Sequence, residues 1–237
     1  MIDKIYQEQC DINSTFFKID NLFKEDIIID NQVFPLVLDN RQKLSPVDNQ
    51  GNWPACVAYA TCSIAEAYFW KRNGFPCNFD ALELYKKCKE ADGMPQSKGT
   101  SLENGLECAL KAGIFGKFEN NNQEIKKIYN IKCAKDLIIN SVKFVLMKYD
   151  FMLGGFKITS DYYYLNNSNY FIKSHASHKT VGNHCMTICG WDKKGFIIQN
   201  QWGTSFGAKG FFILSYEAFI NSFVYGAYIT NIYDNLN

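Results

Sequence analysis

The chain has 237 residues, 47% of them hydrophobic and 16% aromatic, which is ample material for one large domain or two small lobes sharing a core. A formal net charge of +1 gives no electrostatic reason to expect nucleic acid or an anionic membrane as a partner. No stretch is apolar for long enough to span a bilayer, and the polar start MIDKIYQEQC lacks a signal-peptide pattern, so a cytoplasmic protein is expected.

Residues 1–34 mix Asp, Asn, Lys and Ile and read as a short N-terminal extension. The stretch 34–39 is expected to be extended, since Pro35 pushes Phe34 toward β. A turn over 46–51 then leads into an amphipathic helix over 56–70, with Pro54 placed in its first turn, where a missing N–H costs nothing. Val57, Ala60, Ile64, Ala65, Tyr68 and Phe69 recur at helical spacing and mark one buried face, and Asn73-Gly74 stops the helix. A second amphipathic helix is expected over 79–90, followed by a turn at 92–95. Thr100-Ser101-Leu102-Glu103 has the form of a capping box and opens a third helix that carries Leu102, Leu106 and Leu110 and ends at Gly113. Residues 35–115 are thus expected to form a helical lobe.

After about residue 115 the pattern changes. A polar link (119–123) and an ambiguous segment (124–149) precede strand signals at 155–159, 183–189, 194–200, 210–214 and 227–232. Tyr162-Tyr163-Tyr164 reads as a structural aromatic patch. Residues 116–237 are therefore expected to be a β lobe, and the whole chain to be α+β.

Cys56 stands where its helix begins, and the N–H groups and dipole there favour the thiolate, the reactive form. That makes it a candidate nucleophile. The nine cysteines show no framework spacing, and the eight besides Cys56 read as reduced thiols, most of them in the core, with Cys62 a buried structural thiol in the same helix. Of the three histidines, His175 and His178 lie in a Ser/Lys-rich loop and are expected to be exposed and idle. His184 begins an apolar alternating strand, which holds its ring on one face, and Asn200 ends the next strand. Two adjacent antiparallel strands would set imidazole beside carboxamide; an Asn oxygen accepting from one ring N–H fixes the tautomer and leaves the other nitrogen for the thiol. The spacing of His175, His178, His184 and Cys185 suits no common tetrahedral metal site, and neither metal nor cofactor is expected.

Three stretches together resemble the papain-like cysteine peptidases: Gln50-Gly51 with Cys56 on a helix, Asn183-His184-Cys185-Met186, and Asn200-Gln201-Trp202-Gly203. They occur in the family's order, the histidine and asparagine 128 and 144 residues after the cysteine, close to the roughly 130–150 typical of that arrangement. The resemblance runs from about residue 35 to the C-terminus. It implies a two-lobed α+β fold, an N-terminal helical lobe and a C-terminal antiparallel β-barrel-like lobe, with the active site in the cleft between them. It also implies that Cys56 is the nucleophile, His184 its base and later acid, and Asn200 the orienter. Trp202 would shield the Asn–His bond. The Gln50 side chain and Cys56 N–H would form the oxyanion hole, where one donor is worth about 3 kcal/mol of barrier. Gly99 and Thr100 would pair with substrate backbone, although Lys98 replaces a family glycine, and Asn183 would flank the same cleft. Trp53, Pro54-Ala55 and Val57 replace the family's second cysteine, Gly-Ser pair and following aromatic residue, narrowing the cleft. Gln201 stands where serine is usual, a smaller change.

The shared chemistry is a thioester on Cys56; the donor and acceptor differ between readings. Barely 35 residues precede the lead-in, too few for the inhibitory propeptide of secreted members. On that ground the sequence leans to an intracellular acyltransferase or amide synthase, with a thioester donor, free or on a carrier protein, and an amine acceptor. The alternative is a cysteine peptidase of narrow specificity, with a peptide donor and water as acceptor.

Overall fold

The structure, a computed structural model, describes residues 33–117, 129–131, 138–174 and 179–229. Residues 1–32 of the expected N-terminal extension, the 119–123 link, His175 and His178 fall outside the described residues. The chain enters along β1 (Leu38–Asp39), makes one 3-10 turn at Arg41–Lys43 and crosses the 46–51 turn into α1 (Cys56–Asn73). The N-cap of α1 is Ala55, so Pro54 lies one residue ahead of the helix and not in its first turn. The helix stops at Gly74, whose φ of 77° is open to a residue without a Cβ.

The expected single buried face of α1 is exceeded. Ala58, Thr61, Cys62 and Ser63 are buried along with Val57, Ala60, Ile64, Ala65 and Phe69, whereas Tyr68 of the expected face is only partly buried. The cause is that α1 packs on both sides, against α2 (Ala81–Asp92) and α3 (Leu102–Lys111) and against the long strand β7 (Thr180–Trp191). Its alanines let those neighbours approach closely. Asp80 caps α2 by accepting the Glu83 N–H at 2.9 Å. The cap of α3 is Ser101, which accepts the Asn104 N–H at 3.0 Å, one residue later than the expected box. Thr100 binds the Asn104 side chain instead, at 2.7 Å. A Cβ on Gly105 would lie 2.3 Å from Val57 Cγ1, so α3 touches α1 one residue after Cys56. A small antiparallel pair, β2 (Asn78–Phe79) with β3 (Gly116–Lys117), closes this half.

The rest of the chain supplies β4 (Tyr129–Ile131), α4 (Ile138–Tyr149), β5 (Met152–Thr159), β6 (Phe171–Ile172), β8 (Gly195–Gln199), β9 (Phe211–Ser215), α5 (Tyr216–Ser222) and β10 (Phe223–Tyr228). One eight-stranded sheet runs β4-β10-β5-β7-β8-β9-β6, with β1 also paired to β7. The fold is α+β, and the sheet does not close into a barrel. All pairs are antiparallel except β6 with β9. The ambiguous 124–149 segment contains a helix, because Val142, Val145 and Leu146 are buried together at helical spacing. Of the strand expected at 227–232, residues 230–232 fall outside the described residues; the described strand there runs Phe223–Tyr228, after the short α5 that Ser215 caps through the Ala218 N–H at 3.0 Å.

Two apolar cores flank β7. Cys185 and Cys189 point to the one built on α1, α2 and α3; Met186 and Ile188 point to the other, with Phe156, Trp191, Phe196 and Phe219. The same alternation places His184 on the face of Met186.

Candidate active site

Cys56 is the first residue of α1 and is fully buried, with no acidic side chain in the first turn to compete for the positive end of the helix. His184 lies five residues into β7 rather than at its start, since the strand begins at Thr180. Asn200 follows β8 directly and is tied to the next turn by its N–H on the Gly210 carbonyl, 2.9 Å. As expected from antiparallel neighbours, the two side chains meet, His184 Nε2 to Asn200 Oδ1 at 2.8 Å, both residues fully buried.

The tautomer follows from the network. Asn200 Oδ1 also accepts the Gln201 backbone N–H at 2.8 Å, which requires oxygen at that position. The carboxamide oxygen can only accept, so Nε2 carries the ring hydrogen. In the neutral ring Nδ1 is then the acceptor; it is buried and meets no hydrogen-bond partner among the described residues. Trp202 covers this pair, its indole tilted against the imidazole at 4.9 Å between centroids, and Tyr163 stacks on the indole at 6.0 Å. Phe206 meets Trp202 edge-on at 5.2 Å. Such a cover keeps water from competing for the hydrogen bond.

Gln50 is buried beside the same turn. Its backbone N–H donates to the Gln201 carbonyl at 2.9 Å, and its side-chain Nε2 donates to the Trp53 carbonyl at 2.7 Å. Asn49 bridges to Trp202, and Gly203 N–H donates to the Asp48 carbonyl at 3.0 Å, so residues 48–50 are laced to 201–203. Trp53 is 54% exposed, a bulky apolar surface within one turn of Cys56.

The other expected residues are placed as follows. Gly99 adopts φ 75°, and its carbonyl accepts from Lys89 Nζ at 3.1 Å; the same ammonium holds Asp92 at 2.8 Å and Ser97 at 2.7 Å. Gly99 and Thr100 immediately precede α3, whose Gly105 packs on Val57. Asn183 is half-buried on β7, opposite Lys157 of β5. Cys62 is buried, and burial pushes its thiol well above the usual range, with Glu66 adding to the effect; this disfavours the thiolate there. Cys185 is likewise pushed up by burial and then by Cys56, which places these two thiols near one another.

Three residues that build this site were not singled out from sequence. Tyr163 lies within an undifferentiated aromatic run, Gln201 reads as a minor replacement, and Lys89 is one of three lysines in the stretch 86–89. Only Gln201 carried a signal, its place between Asn200 and Trp202.

The descriptive model of the "Papain family cysteine protease" matches residues 34–224. Over 158 residues the chain is 26% identical to cathepsin B-like cysteine proteinase 3 of Caenorhabditis elegans, covering 63% of this chain and 40% of that protein. Over 201 residues it is 22% identical to cysteine proteinase 3 of Entamoeba histolytica, covering 78% of this chain and 64% of that one. The chain thus spans less than two thirds of the length of either relative. Among solved structures, xylellain, a cysteine protease from Xylella fastidiosa, superposes with a TM-score of 0.70 at 17% identity, covering 85% of this chain and 88% of that one. With 34–224 matched and the fold in agreement, the chain belongs to the papain family of cysteine proteases.

Proposed function

We propose that the protein is a cysteine peptidase in which Cys56, His184, Asn200 and Gln50 act together. The observation that carries the reading is the buried His184 Nε2–Asn200 Oδ1 bond of 2.8 Å, which leaves Nδ1 as the basic nitrogen. In this reading the Cys56 thiol passes its proton to Nδ1 and the thiolate attacks the scissile carbonyl carbon. The oxyanion is received by Gln50 Nε2 and the Cys56 N–H. The imidazolium returns the proton to the leaving amine as the C–N bond breaks, giving an acyl thioester and a free amine. Water, losing a proton to Nδ1, then attacks the thioester; the acid departs and the thiol is restored. Asn200 turns no proton over but holds the ring. Gly99 and Thr100 pair with the peptide backbone, Asn183 and Trp53 wall the cleft, and the bulk of Trp53 restricts which side chains fit.

Peptide and water are preferred to a thioester donor and an amine acceptor because the relatives and the structural neighbour are named as proteinases. The amide-forming reading rests on chain length before residue 35, and none of the comparisons supports it. The test is a fluorogenic peptide panel read beside intact-protein mass spectrometry. Peptide turnover that Cys56→Ala abolishes and Cys62→Ala leaves in place is expected. Turnover confined to acyl thioesters with added amines would overturn the peptidase reading.

A further inference from the structure

We infer that Gln201 is a positioning residue that sets the spacing of nucleophile and base, an inference resting on the roles proposed for Cys56 and His184. Its buried Nε2 donates to two backbone carbonyls, that of Cys56 at 3.2 Å and that of Cys185 at 3.1 Å. Both partners can only accept, so the amide nitrogen must face them and each of its hydrogens has a target. One carbonyl belongs to the first residue of α1, the other to the residue after His184 on β7. The backbone of Gln201 reaches the remaining two groups: its N–H donates to Asn200 Oδ1 at 2.8 Å, and its carbonyl accepts the Gln50 N–H at 2.9 Å. One residue therefore contacts the two elements that carry thiol and imidazole, as well as the orienter and the oxyanion donor.

The physical reason this matters is direction. Packing between α1 and β7 is largely apolar, and apolar contact is non-directional. Further along the same interface the Thr187 hydroxyl reaches the Ala60 carbonyl only at 3.5 Å. A planar amide with two acceptors at fixed angles resists sliding of the helix along the strand near Cys56. Serine, the residue the family usually has here, is too short to span both carbonyls. Proton transfer and attack are steep functions of thiol–imidazole geometry, so a small slide has a large kinetic effect.

The test uses Gln201→Met, which keeps length and volume and deletes both donors. With a peptide turned over by the parent, kcat is expected to fall about 10-fold or more while KM stays within about 2-fold. Iodoacetamide, which needs no substrate, is expected to alkylate Cys56 about 10-fold more slowly, with Cys62 and Cys185 still protected, as read by peptide mapping. A merely structural role moves the readout the other way: a loosened core admits reagent to Cys62 and Cys185 without slowing Cys56. Thr187→Val, at the same interface, should lower Tm and leave the Cys56 rate unchanged. If Gln201→Met does not fold, Gln201→Asn, an amide one methylene shorter, should show the same slowing to a lesser degree. Rates at Cys56 and kcat within about 2-fold of the parent in a folded variant would overturn the inference alone. A parent in which Cys56 is no more reactive than Cys62 would overturn the nucleophile assignment and, with it, this inference.

Discussion

Glu66 makes the helix that carries Cys56 sensitive to pH. It is buried inside α1; its Oε2 accepts from the Ser45 hydroxyl and its Oε1 from the Phe79 N–H, the latter at 2.7 Å. Burial outweighs those two donors and, with a smaller push from Asp48, raises its carboxyl from 4.5 to about 7. Below the unfolded value, near 4.5, the group is protonated in both states and costs nothing. As pH climbs from there to about 7, the unfolded chain gives up its proton while the folded chain retains it, so stability falls; above that the loss is complete. At about 1.4 kcal/mol per pH unit, the shift corresponds to about 3 kcal/mol. Glu66→Gln removes the titration and keeps an acceptor for Phe79 N–H. Urea unfolding of both proteins in reductant, from about pH 4.5 to about pH 8, isolates this group, because the other carboxylates cancel in the difference. The variant should gain about 3 kcal/mol on the parent across that interval. A difference that stays constant to within about 1 kcal/mol would refute the reading that burial outweighs the two donors to this carboxyl.

Three other substitutions probe the site. Asn200→Ala removes the Nε2 partner of His184, and kcat should fall about 10- to 100-fold without reaching zero, since the residue orients and does not exchange protons; unchanged turnover in steady-state assays would contradict that role. Gly105→Ala drives a methyl into Val57 and should cost about 1–3 kcal/mol in thermal unfolding, most of it recovered in the double variant with Val57→Ala. Lys89→Met cuts the ammonium that joins Asp92, Ser97 and the Gly99 carbonyl. Peptide KM should rise about 3- to 10-fold with kcat near the parent value; a kcat effect of that size with KM unmoved would remove Gly99 from the substrate-binding surface.

The residues proposed as nucleophile, base and orienter stand out in the chain because each signal is local. A cysteine after Gln50-Gly51 at the start of a helical run, a histidine on an alternating strand and an Asn-Gln-Trp-Gly turn are patterns of neighbouring residues, and their order and separation are properties of the sequence. The helix stop at Gly74 was legible for the same reason, since one backbone angle decides it. Local signals failed where a competing contact settled the outcome. Pro54 lies outside α1, although its position suits a first turn, and the cap moved from Thr100 to Ser101 because Thr100 was taken by the Asn104 side chain. The 138–149 segment is rich in Ile and Val and reads as strand or helix alike; burial of Val142, Val145 and Leu146 on one side chose the helix. The bonds that hold the site in register lay furthest from view. Gln201 reaches the Cys56 carbonyl across 145 residues, and Tyr163 covers an indole in another part of the chain. Residue type and spacing can name the groups that react, whereas the distances between them are set by hydrogen bonds and packing that exist only once distant segments have met.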